Sequence, residues 1–141
     1  MAPTYKNQGR MKLHTKVDCA NAPKKELIKN LTVQFVTYDL DAAMAFMDDN
    51  VVWTLVGDSP IVGKAQFKAE LQKMSGNKAI ELTILSIITH GKEAAVHGVM
   101  TMMDGNRYGF ADFYEFTSAK GTTVKSITTY IIHKKNDSIT G

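Results

Sequence analysis

Apolar residues recur at helical spacing in the first half of the chain. Leu27, Leu31 and Phe35 fall on one stripe of a segment that begins near Pro23, and Asn21 just before this proline is typical of a helix start. A shorter segment with methionines on one face follows, and then one with an i, i+4, i+7 apolar pattern. The pattern predicts three helices, over residues 23–38, 42–48 and 64–74.

The second half of the chain changes to runs of strand-forming residues with short connections. Asp104-Gly105 lies between two such runs and is a strong hairpin signal. Because short links join successive strands, these runs predict an antiparallel meander. With two earlier segments included, strands are predicted over residues 12–18, 51–56, 79–89, 93–103, 106–117 and 122–133. Helices followed by a meander are typical of an α+β domain, with the helices on one face of a curved sheet.

One acidic residue stands in an aromatic row on the predicted strand 106–117. Side chains on a strand alternate between its faces, so one face holds Tyr108, Phe110, Asp112, Tyr114 and Phe116. The single carboxylate has two interpretations. Either Asp112 caps a neighbouring loop or pairs with a basic residue, or it is a pocket acid. In the second case, apolar surroundings raise its pKa, and it donates a hydrogen bond near neutral pH.

The same alternation predicts the walls of a cavity around Asp112. Strict alternation points Trp53 and Thr54 to opposite faces, but one bulge would exchange them, so both are candidates. The predicted ligand contacts are Leu31, Phe35, Trp53, Thr54, Phe67, Leu71, Met100, Met102, Tyr114, Ile127 and Thr129. The strand residues on the same face also include Val96, Gly98 and Ile131. An apolar cavity with a few polar groups is the usual composition of a small-molecule site.

The opposite face of the predicted sheet is also rich in apolar residues. It carries Val99, Thr101, Met103, Ala111, Phe113, Thr128, Tyr130 and Ile132. Three helices can cover only one side of the sheet, so this outer face is expected to be buried against something else. A twofold homodimer through the outer face is the predicted arrangement, with His97 and Glu115 at its rim or paired across it.

The chain of 141 residues is suited to one folded domain. We expect an N-terminal extension over residues 1–22, the domain over 23–134 and a flexible tail over 135–141. The net charge is +3, but the basic residues are scattered. Nucleic-acid binding needs a concentrated basic stripe, so a nucleic-acid partner is not expected.

The cysteine and histidine content limits the redox and metal chemistry. The single cysteine, Cys19, cannot form an internal disulfide, and no apolar stretch is long enough to span a bilayer. A reduced cytoplasmic protein with no membrane partner is therefore expected. The four histidines are dispersed without a recognised ligand spacing, so neither a metal site nor another cofactor is predicted.

Three segments carry a resemblance to a known superfamily. AFMDDNVVWTL, GDSPIVGKAQF and ADFYEF occur in this order behind a two-part helix. Over about residues 24–133 the chain resembles the nuclear transport factor 2-like (NTF2-like) superfamily. This group includes ketosteroid isomerase, the SnoaL-like polyketide cyclases and limonene epoxide hydrolase. The resemblance implies a cone-shaped, cystatin-like fold, in which a strongly curved, mostly antiparallel sheet wraps around about three helices and encloses one apolar cavity.

The resemblance also suggests a role for Asp112. It falls where ketosteroid isomerase has the carboxylic acid that donates to the developing oxyanion of the substrate. The general base of that enzyme falls on Thr54, however, and its oxyanion-hole tyrosine falls on Leu31. A threonine hydroxyl cannot abstract a proton from carbon near neutral pH without a base of its own, so classical ketosteroid isomerase activity is not expected.

Two classes of function remain from the sequence, beside a purely structural dimer whose cavity has no function. In the first, the cavity binds a small, largely apolar molecule, with isomerase-like or cyclase-like acid/base chemistry at Asp112. In the second, the chain is a non-catalytic module that binds a ligand or another protein. The absence of two of the three isomerase groups favours the second class, and the acid on an aromatic face favours the first.

Overall fold

The computed structural model of the chain describes residues 11–19 and 22–135. The described part contains three helices: α1 (Pro23–Val36), α2 (Leu40–Met44) and α3 (Lys64–Met74). Its strands are β1 (Lys12–Thr15), β2 (Met47–Leu55), β3 (Ile61–Val62), β4 (Ala79–His90), β5 (Glu93–Met102), β6 (Arg107–Phe116) and β7 (Val124–Lys134).

The seven strands form one curved, unclosed sheet in the order β1-β4-β5-β6-β7-β2-β3. Strands β4 to β7 pair antiparallel in sequence order, which confirms the predicted meander. The sheet is mixed because β1 pairs in parallel with β4, and β2 pairs in parallel with β7. Together with the three helices, this arrangement confirms the predicted cone-shaped α+β fold.

The largest fully buried side chains come from both layers of the fold. Ile28 and Leu31 of α1 and Phe67 of α3 are completely or almost completely buried, as are Leu82, Ile84 and Phe116 of the sheet. Burying such side chains contributes about 1.5–3 kcal/mol each, so this layer between helices and sheet supplies much of the stability. The helices are therefore fixed above the inner face of the meander.

The observed segments differ from the predicted ones around α2. The second helix was predicted over residues 42–48, but it covers Leu40–Met44, and Met47 already begins β2. Residue 47 pairs with Val124 of β7, and the Val124 N–H donates to the Phe46 carbonyl oxygen. Pairing with β7 thus overrides the helical propensity of the alanine and methionine residues. The two-residue strand β3 was not predicted, because it follows a turn-like segment.

The start of α1 has no side-chain cap. The predicted cap, Asn21, lies outside the described residues, and Ala22 occupies the N-cap position without a side-chain hydrogen bond. Pro23 is the first helical residue, as its fixed backbone angle favours.

The end of α1 is closed by a residue in the left-handed conformation. The Tyr38 N–H donates to the Phe35 carbonyl at 3.2 Å, and the Asp39 N–H donates to the Gln34 carbonyl at 2.8 Å. This pair of bonds is a Schellman motif, in which glycine usually occupies the left-handed position. Here that position is Tyr38, with φ 58°, so the tyrosine is held in a backbone region that disfavours its side chain.

A matched pair of substitutions tests this strain. Tyr38→Gly and Tyr38→Ala remove the same aromatic ring, but only glycine adopts the left-handed conformation without a steric cost. We expect the glycine variant to be more stable than the alanine variant by about 1 kcal/mol. Urea denaturation of both variants measures the difference, and equal stabilities would show that Tyr38 is not strained.

Candidate functional site

A cavity of about 120 Å³ lies between α1, α3 and the inner face of the sheet. Its walls are formed by Thr32, Phe35, Val36, Tyr38, Trp53, Leu55, Phe67, Leu71, Met74, Met100, Met102, Phe110, Asp112, Tyr114, Ile127, Thr129 and Ile131. Two of the lining residues, Met74 and Ile131, are also exposed at the surface.

The aromatic part of the wall is a stacked group. The rings of Trp53 and Phe67 stack with their centroids 5.0 Å apart, and the Phe35 ring lies 5.7 Å from that of Phe67. Strand β2 and the two long helices each supply one ring of the three. Such contacts hold the wall in one arrangement, since aromatic pairs add to the stability that burial alone gives.

A short hydrogen-bond chain ends at Asp112, in the middle of β6. The Trp53 indole N–H donates to Thr129 Oγ1 at 3.0 Å, and the Thr129 hydroxyl lies 2.7 Å from Asp112 Oδ1. An indole can only donate, and a hydroxyl has only one proton. Thr129 therefore accepts from Trp53 and gives its own proton to Asp112. This leaves Oδ2 as the oxygen of the Asp112 carboxylate that has no hydrogen bond to the described residues.

Protein atoms surround the Asp112 carboxyl group, although it keeps some accessible surface because it faces the cavity. Loss of hydration on burial raises the pKa of Asp112 from its ordinary value of 3.8 to about 6, against the opposing effect of the Thr129 hydrogen bond. A carboxyl group with this pKa is mostly ionised at pH 7 but keeps a protonated fraction of about a tenth. It can therefore both accept and donate a proton near neutrality.

The family of the chain follows from a comparison with known protein families. The model of the SnoaL-like domain matches residues 30–128, which include the aromatic wall and Asp112. This chain belongs to the SnoaL-like family. Its superfamily is the NTF2-like one, as the sequence resemblance indicated. A comparison with curated proteins gave no match.

Solved structures similar to this SnoaL-like domain share its fold. An NTF2-like protein of unknown function from Cytophaga hutchinsonii is 23% identical, with a TM-score of 0.60 over 77% of this chain and 99% of its own. One from Burkholderia xenovorans is 16% identical, with a TM-score of 0.68 over 84% and 90%. An LEH-like epoxide hydrolase from M. tuberculosis is 18% identical, with a TM-score of 0.64 over 77% and 78%.

Most of the predicted contacts of the SnoaL-like domain lie together around its cavity. Ten predicted residues line it: Phe35, Trp53, Phe67, Leu71, Met100, Met102, Asp112, Tyr114, Ile127 and Thr129. The structure places Thr54 and Leu31 elsewhere. Thr54 pairs with Thr128 while Trp53 pairs with Ile127, so alternation turns Thr54 to the outer face. Leu31 is completely buried in the core, and α1 instead presents Thr32, Phe35 and Val36 to the cavity.

Some lining residues were absent from the predicted contacts. They are Thr32, Val36, Tyr38, Leu55, Met74, Phe110 and Ile131. The sequence carried a signal for several of them. Alternation places Phe110 and Ile131 on the face of Asp112, where Ile131 was expected, and Leu55 on the face of Trp53. Met74 continues the stripe of Phe67 and Leu71. Thr32 and Val36 are neighbours of the predicted stripe on α1. How far a helix is rotated about its axis is set by packing, which the pattern alone does not fix.

The other polar groups at the cavity differ in whether they form hydrogen bonds with the described residues. The Thr32 hydroxyl donates to the Ile28 carbonyl at 2.8 Å, so its proton is in use. Tyr114 is 3% exposed, and its Oη has no hydrogen-bond partner among the described residues. Burial and the nearby Asp112 charge raise the pKa of Tyr114 well above its ordinary value, so this phenol remains protonated at any physiological pH.

The described residues were also compared with what a metal site and a membrane-spanning helix require. Residues 11–19 and 22–135 contain no group of three or more His, Cys, Asp or Glu side chains placed to share a metal ion. Within the same ranges, no helix combines the length and the apolar character that crossing a membrane requires.

Proposed function

We propose that this SnoaL-like domain binds a small, largely apolar molecule in its cavity and that Asp112 acts on it as an acid/base group. The observation that carries the proposal is one carboxyl group with a pKa raised to about 6 in a largely apolar wall. Desolvation disfavours the charged form of such a group, and strongly shifted residues in clefts are typical of functional sites. A merely structural aspartate would be stabilised by a basic partner, but among the described residues the only side chain that forms a hydrogen bond with Asp112 is Thr129.

The chemistry this site supports is a proton transfer within one bound molecule. Asp112 Oδ2 can take a proton from one atom of the ligand as carboxylate and return it to another as carboxylic acid, which is isomerase-like or cyclase-like chemistry. Among the described residues that line the cavity there is no second carboxylate and no imidazole. A reaction that needs a separate base to activate water is therefore less well supported than one that uses a single shuttling acid.

The same lack of a second acid or base in the lining favours an alternative function. A cavity with one titratable carboxyl group can also hold a ligand without changing it, as a carrier does. Chemistry and simple carriage are distinguished by incubating the bound ligand with wild-type protein and with Asp112→Asn. Conversion by wild type alone supports acid/base chemistry, whereas a ligand that both proteins leave unchanged supports carriage.

Trp53 provides the test of ligand binding, because it is the only tryptophan in the chain and lines the cavity. Native mass spectrometry of freshly purified protein should detect a bound small molecule. Adding that molecule to stripped protein should change the Trp53 fluorescence with saturation. Phe67→Trp, which narrows the cavity, should weaken the response, while an added tryptophan at exposed Val62 should not. Failure of every small apolar molecule to produce a saturable change would contradict the proposal.

We also propose that the protein forms a homodimer through its outer sheet face. Large apolar side chains are exposed there, among them Phe113 at 50%, Tyr130 at 47% and Ile132 at 71%. The charges of β6 support a second copy as the partner. Arg107 and Glu115 lie four residues on either side of Ala111 on the same face, so a twofold axis near Ala111 would place the arginine of one copy close to the glutamate of the other.

A charge placed in the middle of this face should separate the copies. Phe113→Lys is expected to give a monomer, because an unpaired ammonium group would be buried in an apolar interface. Phe113→Leu keeps the apolar contact and should leave the dimer intact. Sedimentation velocity gives the mass of each species, and circular dichroism verifies that both variants are folded. A monomeric wild-type protein at micromolar concentration would contradict the proposed dimer.

A further inference from the structure

The hydroxyl group of Tyr114 is the most conspicuous unused polar group in the described part of the chain. Tyr114 is 3% exposed and lines the cavity, yet its Oη forms no hydrogen bond. Leaving a buried hydroxyl unpaired costs about 1–3 kcal/mol, so such groups almost always have a partner. No described side chain provides a partner, and Tyr114 lines the cavity, so a molecule bound there can supply one.

Asp112 presents the second unused polar atom. Its Oδ1 accepts the Thr129 proton, and Thr129 is held in that orientation by the Trp53 indole. Its Oδ2 has no hydrogen bond to the described residues. Asp112 and Tyr114 are two residues apart on β6 and line the same cavity. After burial, the Asp112 charge is the second cause of the raised pKa of the Tyr114 phenol.

The two oxygen atoms need opposite hydrogen-bonding groups on a ligand, one an acceptor and the other a donor. A phenol that remains protonated donates a hydrogen bond, whereas the carboxylate oxygen accepts one. A ketone or ether oxygen only accepts, and an ammonium group only donates. A hydroxyl group does both with a single oxygen, so it can bridge Tyr114 Oη and Asp112 Oδ2.

We propose that the ligand of this cavity carries a hydroxyl group on an apolar ring, which accepts from Tyr114 and donates to Asp112. The inference rests on the proposed small-molecule function and narrows it to alcohols and phenols. The size of the cavity, about 120 Å³, is of the order of one six-membered ring, since an apolar cavity of about 150 Å³ in another protein holds benzene. The stacked aromatic wall of Trp53 and Phe67 suits such a ring.

The bridge also gives the ligand a defined position. The oxygen is fixed at β6, and the ring extends toward the wall formed by α1 and α3. The proton on the ligand oxygen is then the one that Asp112 Oδ2 can accept. The bond broken is the ligand O–H and the bond formed is Asp112 O–H, with the ligand left as an oxyanion that keeps the hydrogen bond from Tyr114.

Four probes of similar size test the hydroxyl preference at pH 7.5: phenol, anisole, toluene and benzylamine. Shifts of backbone amide NMR signals give the affinities. We expect phenol to bind at least about tenfold more tightly than toluene, because it forms two additional hydrogen bonds. Phenol should also bind more tightly than anisole, whose ether oxygen can accept from Tyr114 but cannot donate to Asp112. Tyr114→Phe should lower the phenol affinity about tenfold and leave the toluene affinity unchanged. This variant removes only the unpaired hydroxyl, so the fold should be retained.

The outcomes separate this inference from the function on which it rests. Equal binding of phenol and toluene, or equal phenol binding by wild type and Tyr114→Phe, would overturn the hydroxyl preference while small-molecule binding stands. Tightest binding of benzylamine would overturn it in favour of a cationic ligand. No binding of any probe or of larger apolar molecules would reject the small-molecule function itself. At pH 5, where Asp112 is protonated, the advantage of phenol over anisole should shrink.

Discussion

Asp112→Asn is expected to stabilise the protein at pH 8 by about 3 kcal/mol while removing its acid/base group. The difference between the ordinary pKa of 3.8 and the raised value of about 6 corresponds to this free energy. Asparagine has nearly the same shape, and its side-chain oxygen can still accept from Thr129. It carries no charge that burial would penalise, so the gain in stability should come together with loss of any proton transfer.

The pH dependence of this effect has a definite sign. Below about pH 3.8, Asp112 is protonated in both the folded and the unfolded chain, so it does not lower the free energy of unfolding. Between about pH 3.8 and 6, the unfolded chain releases the proton while the folded protein retains it, and stability therefore falls as the pH rises. Above about pH 7, Asp112 is ionised in both states, and the free energy of unfolding is lowered by the full amount. The benefit of Asp112→Asn should thus be absent near pH 3.5 and complete at pH 8.

Urea denaturation of wild type and Asp112→Asn over this pH range measures the effect. The neighbouring substitution Glu115→Gln is the matched control, because it removes a half-buried charge from the opposite face of β6. Glu115 is paired with Lys125 at 3.8 Å, so its replacement should not increase stability. A constant difference between wild type and Asp112→Asn at all pH values would show that ionisation of Asp112 is not the cause.

Gly98→Ala should be strongly destabilising, by about 3 kcal/mol. Gly98 lies in β5, opposite a register irregularity of β4 between Ile84 and Ser86. A Cβ atom at Gly98 would overlap the Thr83 carbonyl oxygen and lie 3.1 Å from the Phe110 ring. A backbone carbonyl in a paired strand cannot move without breaking the sheet locally, so the methyl group has no room.

Gly109→Ala provides the control for this substitution. Gly109 lies in the adjacent strand β6 and pairs with Val99, but a Cβ atom there would meet nothing within 4 Å. Alanine reduces the freedom of the unfolded chain, so this variant should be as stable as wild type or slightly more stable. Thermal melts of both variants measure the contrast. Equal melting temperatures for Gly98→Ala and wild type would contradict the close approach of β4 and β5.

Much of this fold could be predicted from local signals. The meander follows from short turns such as Asp104-Gly105, and the helices follow from stripes such as that of Leu27, Leu31 and Phe35. The parallel pairings of β1 with β4 and of β2 with β7 join segments that are distant in sequence. No local pattern encodes these partners, because parallel pairing depends on which edge of the finished sheet remains open.

The residues of the candidate site could be predicted only on strands whose side chains alternate regularly between the two faces of the sheet. On β6 and β7, which alternate regularly over the relevant stretch, the prediction placed Asp112, Tyr114 and Thr129 at one cavity. On β2, the pairing with β7 is irregular between Met47 and Val52, and the sequence left the choice between Trp53 and Thr54 open. The Trp53 hydrogen bond to Thr129 could not be predicted, because it joins two strands through a single contact.

The titration of the Asp112 carboxyl carbon by NMR tests the central claim most directly. In protein labelled with 13C at aspartate side chains, Asp112 should titrate near pH 6 in the absence of ligand. Thr129→Val removes the hydroxyl that stabilises the carboxylate and should move the midpoint higher, whereas Thr129→Ser should not. A midpoint near 4 in the wild-type protein, unchanged in Thr129→Val, would contradict the account of Asp112 as a buried cavity acid.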